Sequence, residues 1–168
     1  MEIRPAPEMK LTVINPGLVL GEPLDEHFGT SLSLVQRALA GKDPMLPRVG
    51  FTVVDLVDIA LMHVAAIDDA KTYGERFIGA DNFLWYVEMA KILKQAFPDR
   101  KIPTRQAPDF VIRFLSLFDS SIKTILPDLG KRKAVDNGRA RDVLGISFVT
   151  AEDAVRNSAR FLVERKLV

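Results

Sequence analysis

Few side chains in this sequence of 168 residues have the type and spacing for acid–base chemistry. His27 lies in a predicted loop, where it could act as a general base or a substrate contact, or simply face solvent. His63 falls on the predicted apolar face of a helix, which is typical of a core histidine. Asp55 and Asp58 stand at a predicted helix start, where a capping box and the helix dipole explain them more simply than an acid–base pair. These residues alone predict no self-sufficient active centre.

The sequence carries no recognised cofactor or metal signature. Its ten glycines form neither GxGxxG, which lets a dinucleotide pyrophosphate approach a helix start, nor the phosphate-binding GxxxxGK[ST]. The two histidines have no second ligand at a known metal-binding spacing. The absence of cysteine excludes disulfides, thiolate zinc sites and a cysteine nucleophile. We therefore expect no metal site.

The charge balance limits the partners that we expect. Lys and Arg total 23 and Asp and Glu 22, so the net charge of +1 gives no electrostatic footprint for nucleic acid or a membrane surface. A basic cluster, Lys131–Lys133 with Arg139 and Arg141, could bind a phosphate group, but the absence of interleaved aromatic residues favours a solvated surface. No apolar run approaches the roughly 18 residues of a membrane span. Residues 1–10 form a polar lead-in unlike a signal peptide, and we expect a cytoplasmic protein.

Hydrophobic periodicity and helix-breaking residues predict the elements that position these groups. Strands are predicted at Leu11–Ile14, Phe51–Val54 and Gly74–Gly79; helices are predicted over Thr30–Ala40, from Asp55, from a cap at Asp81 or Asn82, through Val111–Ile125, over Asp136–Leu144 and from Thr150. Gly41 and Gly145 stand where helices should end, and Thr150 with Asp153 is typical of a helix start.

The predicted buried stripes follow from the same periodicity. After Asp55 the apolar stripe comprises Leu56, Ile59, Ala60, His63, Val64 and Ile67, and in the next helix it comprises Trp85, Met89, Ile92, Leu93 and Ala96. Strands that alternate with helices imply parallel strands joined by crossover helices. Three strands are few, because a parallel sheet needs both faces and both edges covered. The pattern therefore predicts an α/β fold with an incomplete parallel sheet.

Four segments carry a resemblance to a known family. The segment Leu11–Gly21 resembles the strand and loop that follow the catalytic helix in extended short-chain dehydrogenases/reductases, of the dihydroflavonol 4-reductase-like NAD(P)-dependent epimerase/dehydratase group. Val54–Ala60, Gly74–Ile78 and Asp136–Gly145 resemble later segments of that family, in the same order. The resemblance implies a Rossmann-like sheet of which this chain carries the C-terminal strands, with residues 1–10 as lead-in and residues 11–168 as the C-terminal, largely helical substrate-binding portion.

The resemblance also implies the roles of site residues. Pro16, Gly17, Leu18 and Val19 would line the nicotinamide side of an NADP or NAD site, largely through backbone groups; His27, Phe28 and Ser31 would help to close the pocket of a small-molecule substrate. For Pro16 and Gly17 a simple strand-ending turn remains the alternative.

Two family features are absent from the sequence, the glycine fingerprint and the Tyr-x-x-x-Lys pair. Tyr73 is followed four positions later by Phe77 and Tyr86 by Ala90, so we assign no catalytic residue. We expect hydride transfer to or from a carbonyl/alcohol substrate only with an N-terminal dinucleotide-binding half, in the same chain or another. The alternatives are a stand-alone small-molecule-binding or oligomerising module, such as a homo-oligomer that completes the sheet, and a non-productive fragment.

Overall fold

The strands and helices alternate as the sequence predicts. The computed structural model describes residues 10–26, 28–67 and 69–168. Within these residues the strands are β1 (Val13–Pro16), β2 (Leu18–Leu20), β3 (Gly50–Asp55), β4 (Arg76–Gly79) and β5 (Asn82–Trp85); the α-helices are α1 (Thr30–Ala40), α2 (Leu56–Ala66), α3 (Tyr86–Ala96), α4 (Asp109–Leu115), α5 (Ser120–Ile125), α6 (Gly138–Leu144) and α7 (Ala151–Glu164). β1 begins two residues later than the predicted first strand, which was expected at Leu11, and it extends to Pro16 because its pairing with β4 continues to Gly79.

Two small sheets share the first part of the chain. β1 pairs in parallel with β4, with Val13 opposite Arg76, and β2 pairs in parallel with β3, with Leu18 opposite Val53. The parallel pairing of these strands agrees with the prediction, and β5, which was not predicted, pairs antiparallel with β3. The result is an α/β fold in which one continuous segment, residues 13–20, contributes a strand to each sheet.

The larger core lies between the β2–β3–β5 sheet and the helices α1, α3 and α7. Each helix buries residues at three- and four-residue spacing, such as Val35 and Leu39 in α1 or Met89 and Leu93 in α3. Two predicted helix ends are confirmed, since Gly41 and Gly145 have φ angles of 61° and 66°. Thr150 also starts α7 as predicted, because its Oγ1 accepts the Asp153 N–H at 3.1 Å.

The smaller core lies on one face of the β1–β4 pair and consists of Met62, Phe77, Ala140, Leu144 and Ile146. The opposite face of the pair carries apolar side chains in contact with solvent, with Leu11 61% and Ile78 42% exposed. Within the part of the chain that the structure describes, β1 has β4 as its one neighbour, so its other edge is open. Parallel sheets are normally covered on both faces, and this pair is covered on one.

The buried face of α2 differs from the predicted stripe. Asp58 and Met62 are the buried residues, whereas Val64 and Ile67 are exposed. His63 is exposed as well, so its assignment to the core is wrong. Almost every position of α2 is apolar, and a period of 3.6 residues therefore selects no single face. The strands on which α2 packs decide the orientation.

A strand was missed ahead of α3. Asp81 precedes β5 and Asn82 is its first residue, so neither caps a helix, and α3 begins only at Tyr86. The Glu88 carboxylate accepts the Trp85 N–H at 2.8 Å at this helix start. A strand of four residues is too short for alternation to reveal it, and two polar residues that favour turns made a helix cap the simpler interpretation.

The single helix predicted through Val111–Ile125 is two short helices, α4 and α5. The carboxylate of Asp119 accepts the Ser121 N–H at 2.8 Å and starts α5 as a separate helix. Phe118, which falls inside the predicted helix, lies in the turn between the two helices and is exposed.

Candidate functional site

The chain changes strand partner at Gly17, at the carboxyl end of β1. The Gly17 N–H donates to the Gly79 carbonyl at 2.9 Å, and from Leu18 onward the chain pairs with β3 instead of β4. A Cβ on Gly17 would lie 2.2 Å from the Thr52 carbonyl oxygen, so only glycine fits here. Open α/β sheets bind ligands at the carboxyl ends of strands where neighbouring strands diverge. The predicted cofactor-binding residues, Pro16 to Val19, stand at such a place.

These four residues differ in exposure. Pro16 is exposed, and Leu18 and Val19 are half-buried. The Leu18 side chain packs against the larger core. A ligand at this end of β1 would therefore meet the Pro16 ring and the backbone around it. The role of these four residues in cofactor binding stays a prediction.

The turn after β2 is held by a buried serine of α7. The Gly21 N–H donates to the Ser158 Oγ at 2.7 Å, and this hydroxyl lies 3.1 Å from the Gly21 carbonyl oxygen and 3.0 Å from that of Ala154. Gly21 has a φ of 114°, a conformation that favours glycine. The last helix thus fixes the loop that leads from the candidate site. Sequence reasoning missed Ser158, because a small residue on an apolar helix face gives no signal.

Asp58 has a structural role that differs from the predicted capping box. Asp55 starts α2 as predicted, since its carboxylate accepts the Val57 N–H at 2.9 Å. The Asp58 carboxylate is 1% exposed and instead accepts the Val149 N–H at 2.9 Å. Burial raises the pKa of Asp58, the neighbouring carboxylates of Asp55 and Asp81 raise it further, and the Val149 bond opposes them.

Asp81 holds the same segment from the side of β4. Its carboxylate accepts the Ala151 N–H at 2.9 Å, at the first turn of α7, and lies 3.5 Å from the Arg141 guanidinium. Asp58 therefore attaches Val149 to the first turn of α2, and Asp81 attaches Ala151 to the loop that follows β4. We assign both to positioning the fold around the candidate site.

The predicted substrate-pocket residues lie near the start of α1. Phe28 is half-buried and packs against the larger core, and Ser31 is half-buried in the first turn. α1 packs on β2, the strand that contains Leu18 and Val19 of the candidate site. His27 lies outside the described residues. The role of Phe28 and Ser31 in substrate binding stays a prediction.

A cavity of about 410 Å³ lies between α1, β3 and the α4–α5 region. Three of its polar side chains, Arg37, Asp43 and Tyr86, already have hydrogen-bond partners. The Arg37 guanidinium makes two hydrogen bonds of 2.6 Å to the Asp43 carboxylate, which raise the pKa of Arg37. The Tyr86 hydroxyl donates to the Leu34 carbonyl at 3.1 Å, and burial, aided by Asp43, raises the pKa of Tyr86 to about 12. None of the predicted site residues lines this cavity.

Other polar clusters have ordinary partners. In the described part of the chain, no group of three or more His, Asp or Glu residues could hold a metal ion. In the basic cluster, Lys133 lies 3.1 Å from Asp128, and Arg139 pairs with Glu75. No helix among the described residues is long and apolar enough to cross a membrane.

Comparisons with known proteins give the family context. No protein-family model matches the chain. Over 104 residues the sequence is 34% identical to cinnamoyl-CoA reductase 2 of Arabidopsis thaliana. The matched segment is 62% of this chain and 31% of the plant protein. The chain is homologous to part of the cinnamoyl-CoA reductases. It spans less than half the length of these curated relatives.

Solved structures of reductases share the fold of this chain. Yeast methylglyoxal/isovaleraldehyde reductase, in complex with NADPH, matches with a TM-score of 0.70 and 22% identity over 95% of this chain and 45% of its own. Vestitone reductase from alfalfa matches with a TM-score of 0.69 and 16% identity over 95% of this chain and 46% of its own. The resemblance to the extended short-chain dehydrogenases/reductases is confirmed, and so is the Rossmann-like α/β fold.

Proposed function

We propose that this chain is the substrate-side part of an NADPH-dependent carbonyl reductase. The reaction would move a hydride from the reduced nicotinamide to a carbonyl carbon and a proton to its oxygen, or the reverse on an alcohol. The observation that carries the proposal is the position of Pro16 to Val19 at the carboxyl end of β1, where the strand changes partner. NADPH is favoured over NADH because two structural neighbours contain NADPH.

The roles within the chain follow this position. Pro16 and Gly17 would border the nicotinamide through backbone groups, with Leu18 and Val19 behind them. Phe28 and Ser31 would border the substrate from the first turn of α1, and His27 is included on the resemblance alone. The sequence has no pyrophosphate-binding glycine fingerprint, so these residues fit only the nicotinamide end of the cofactor. The proton donor and the rest of the cofactor site belong to a dinucleotide-binding half, in the same or a separate polypeptide.

The open edge of β1 is where that half would join. The N–H groups of Val13 and Gly17 donate to carbonyl groups on the β4 side. Because hydrogen-bonding groups alternate along a strand, Ile14 presents its N–H and C=O to the open edge. Grooves of about 440 and 390 Å³ border β1 on its two faces. These features support pairing of β1 with a further parallel strand.

The exposed side of α2 supports the same partner. A strand that leads into β1 through a right-handed crossover places its helix on the face that α2 occupies. α2 leaves a stripe of exposed apolar side chains at the spacing of one helix face, namely Val57, Leu61 and Val64. This stripe suits a helix that arrives with the added strand.

The alternative is a homo-oligomer without catalysis, which the same open edge would permit. Two copies related by a twofold axis would pair their β1 strands antiparallel, and the joined sheet would then be mixed. Light scattering separates the two proposals, because self-pairing predicts a dimer of the 168-residue chain whereas the reductase proposal does not require one.

The experiment is NADPH consumption with a panel of aliphatic and aromatic aldehydes and ketones. It compares this chain alone, the chain fused after the part of the Arabidopsis reductase that lies outside the matched region, and that part alone. The proposal predicts turnover by the fusion only. Turnover by the 168-residue chain alone would overturn the view that it is catalytically incomplete. A folded fusion that binds NADPH and reduces no carbonyl compound would overturn the proposed reaction.

A further inference from the structure

Residues 109–128, which we call the lid, cover the cavity between α1 and β3. The lid consists of α4, α5 and the short turn Leu126–Asp128. Its inner side lines the cavity with Val111, Ile112, Leu115, Ile122 and Ile125. The wall of the cavity opposite the lid is formed by α1, β3 and the loop before β3, and includes the side chains of Leu34, Pro47, Val49 and Phe51. Both walls are thus predominantly apolar.

The two ends of the lid are attached to the same short loop. Ahead of the lid, the Ala107 N–H donates to the Leu46 carbonyl at 2.7 Å, and Asp109 pairs with Arg48 at 2.5 Å. Behind it, the Gly130 N–H donates to the Arg48 carbonyl at 2.7 Å. Both ends of the lid are thus held by Leu46 and Arg48 of the loop before β3.

The lid is apolar on both sides, yet few of its residues are buried. Ile112 is the buried residue of α4, and α5 has none. Four large side chains of the lid face solvent, namely Phe110, Phe114, Leu117 and Phe118. A segment of this composition gains little from its present packing, and it would gain more if the space beneath it were filled.

The cavity also limits the chemistry of an occupant. Its volume of about 410 Å³ is in the range of small-molecule sites. The Arg37 guanidinium is neutralised by Asp43, and the Tyr86 hydroxyl donates to a backbone carbonyl, so neither is left to bind a charged group. In the described part of the chain, no buried side-chain nitrogen or oxygen lacks a partner. The acidic side chains of the lining are Asp43 and Asp119, so an anionic ligand would be desolvated without compensation.

We propose that the cavity beneath the lid binds an uncharged, largely apolar small molecule of one or two rings. This site is separate from the proposed hydride-transfer site, because Pro16 to Val19, Phe28 and Ser31 do not line it. The failure of either proposal therefore leaves the other intact.

The test uses naphthalene as the uncharged probe and 2-naphthoate as its charged counterpart, with the 168-residue chain labelled at isoleucine methyl groups. Naphthalene should shift the methyl signals of Ile112 and Ile122, which line the cavity, and leave that of Ile14 unchanged. Naphthoate should bind at least about tenfold more weakly. Equal binding of the two probes, or shifts that avoid Ile112 and Ile122, would overturn the proposal.

Two leucines of the lid give a matched pair of variants. Leu115 lines the cavity, whereas Leu117 is 76% exposed and does not. Leu115→Trp should fill the cavity and weaken naphthalene binding by at least about tenfold, and Leu117→Trp should leave it within about twofold. The reverse order would mean that the probe binds the outer surface of the lid and would overturn the proposal. The methyl shifts of the unchanged protein decide the matter if Leu115→Trp fails to fold.

Discussion

The two cores of this molecule are covered to very different degrees. Among the described residues, twenty-four buried side chains form the larger core and five form the smaller one. Helices and sheet enclose the larger core, whereas the β1–β4 pair above the smaller core has an open edge and an open apolar face. The larger core therefore needs no further element to cover it. The β1–β4 pair, in contrast, leaves an edge and an apolar face on which a further strand and helix could pack. For this reason we propose that a dinucleotide-binding partner would join this molecule at β1.

The largest effect is expected from truncation in the larger core. Leu93 is fully buried there, and Leu93→Ala should lower the free energy of unfolding by about 2–5 kcal/mol, since it leaves a cavity in an enclosed site. Met62→Ala, in the smaller core, should lower it by less, because we expect this less enclosed region to open locally before global unfolding. Urea denaturation measures both. Equal losses would mean that the two cores unfold as one unit.

The next effect concerns the buried carboxylate that attaches the segment ahead of α7. Asp58→Ala removes the acceptor of the Val149 N–H and should cost about 1–3 kcal/mol of unfolding free energy. Asp58→Asn keeps an acceptor oxygen and removes the buried charge, so it should be at least as stable as the parent at pH 7. Denaturation of the three proteins side by side checks this. A loss in Asp58→Asn equal to that in Asp58→Ala would contradict the assigned role.

The same residue predicts a pH dependence. Burial raises the pKa of Asp58 above its unfolded value, so the folded state binds this proton more tightly. The contribution of Asp58 to stability should therefore be greatest at acid pH and fall as the pH rises through the raised pKa. Asp58→Asn should lack this component in a series of denaturation curves. An identical pH profile in both proteins would contradict the assignment.

A loss of stability similar to that of Asp58→Ala is expected at Gly17, where the chain changes strand partner. Gly17→Ala would place a Cβ 2.2 Å from the Thr52 carbonyl oxygen and should cost about 1–3 kcal/mol of unfolding free energy. Gly29→Ala is the matched control, because nothing lies within 4 Å of a Cβ there and its φ is −79°. Thermal unfolding of both variants measures the difference. Equal stability would mean that β1 and β2 are not held as tightly as described.

The smallest effect on stability is expected at the open face of β1. Leu11 is 61% exposed, and Leu11→Lys should leave the unfolding free energy within about 0.5 kcal/mol. The same change should weaken association with the dinucleotide-binding half, because a charge would be desolvated in the joined sheet. Analytical ultracentrifugation of the mixture measures this. Unchanged association would move the interface away from this face.

Local signals in the sequence predicted much of the fold and little of what holds the candidate site. Gly41 and Gly145 mark the C-terminal ends of helices and Thr150 marks the start of one, and the structure confirms all three. The partner of Asp58 lies 91 positions away and that of Ser158 lies 137 positions away, so no local pattern contains them. The buried face of α2 was mispredicted because packing, and not periodicity, orients a helix that is apolar nearly all round.

The most direct test of the central claim is amide hydrogen exchange at Ile14. This N–H faces the open edge of β1, whereas those of Val13 and Gly17 donate to the β4 side. Adding the dinucleotide-binding part of the Arabidopsis reductase should slow exchange at Ile14 by at least about tenfold and change Val13 little, because the new strand supplies an acceptor. A complex that forms while exchange at Ile14 stays fast would show that the partner does not extend the sheet at β1, and the account would be wrong.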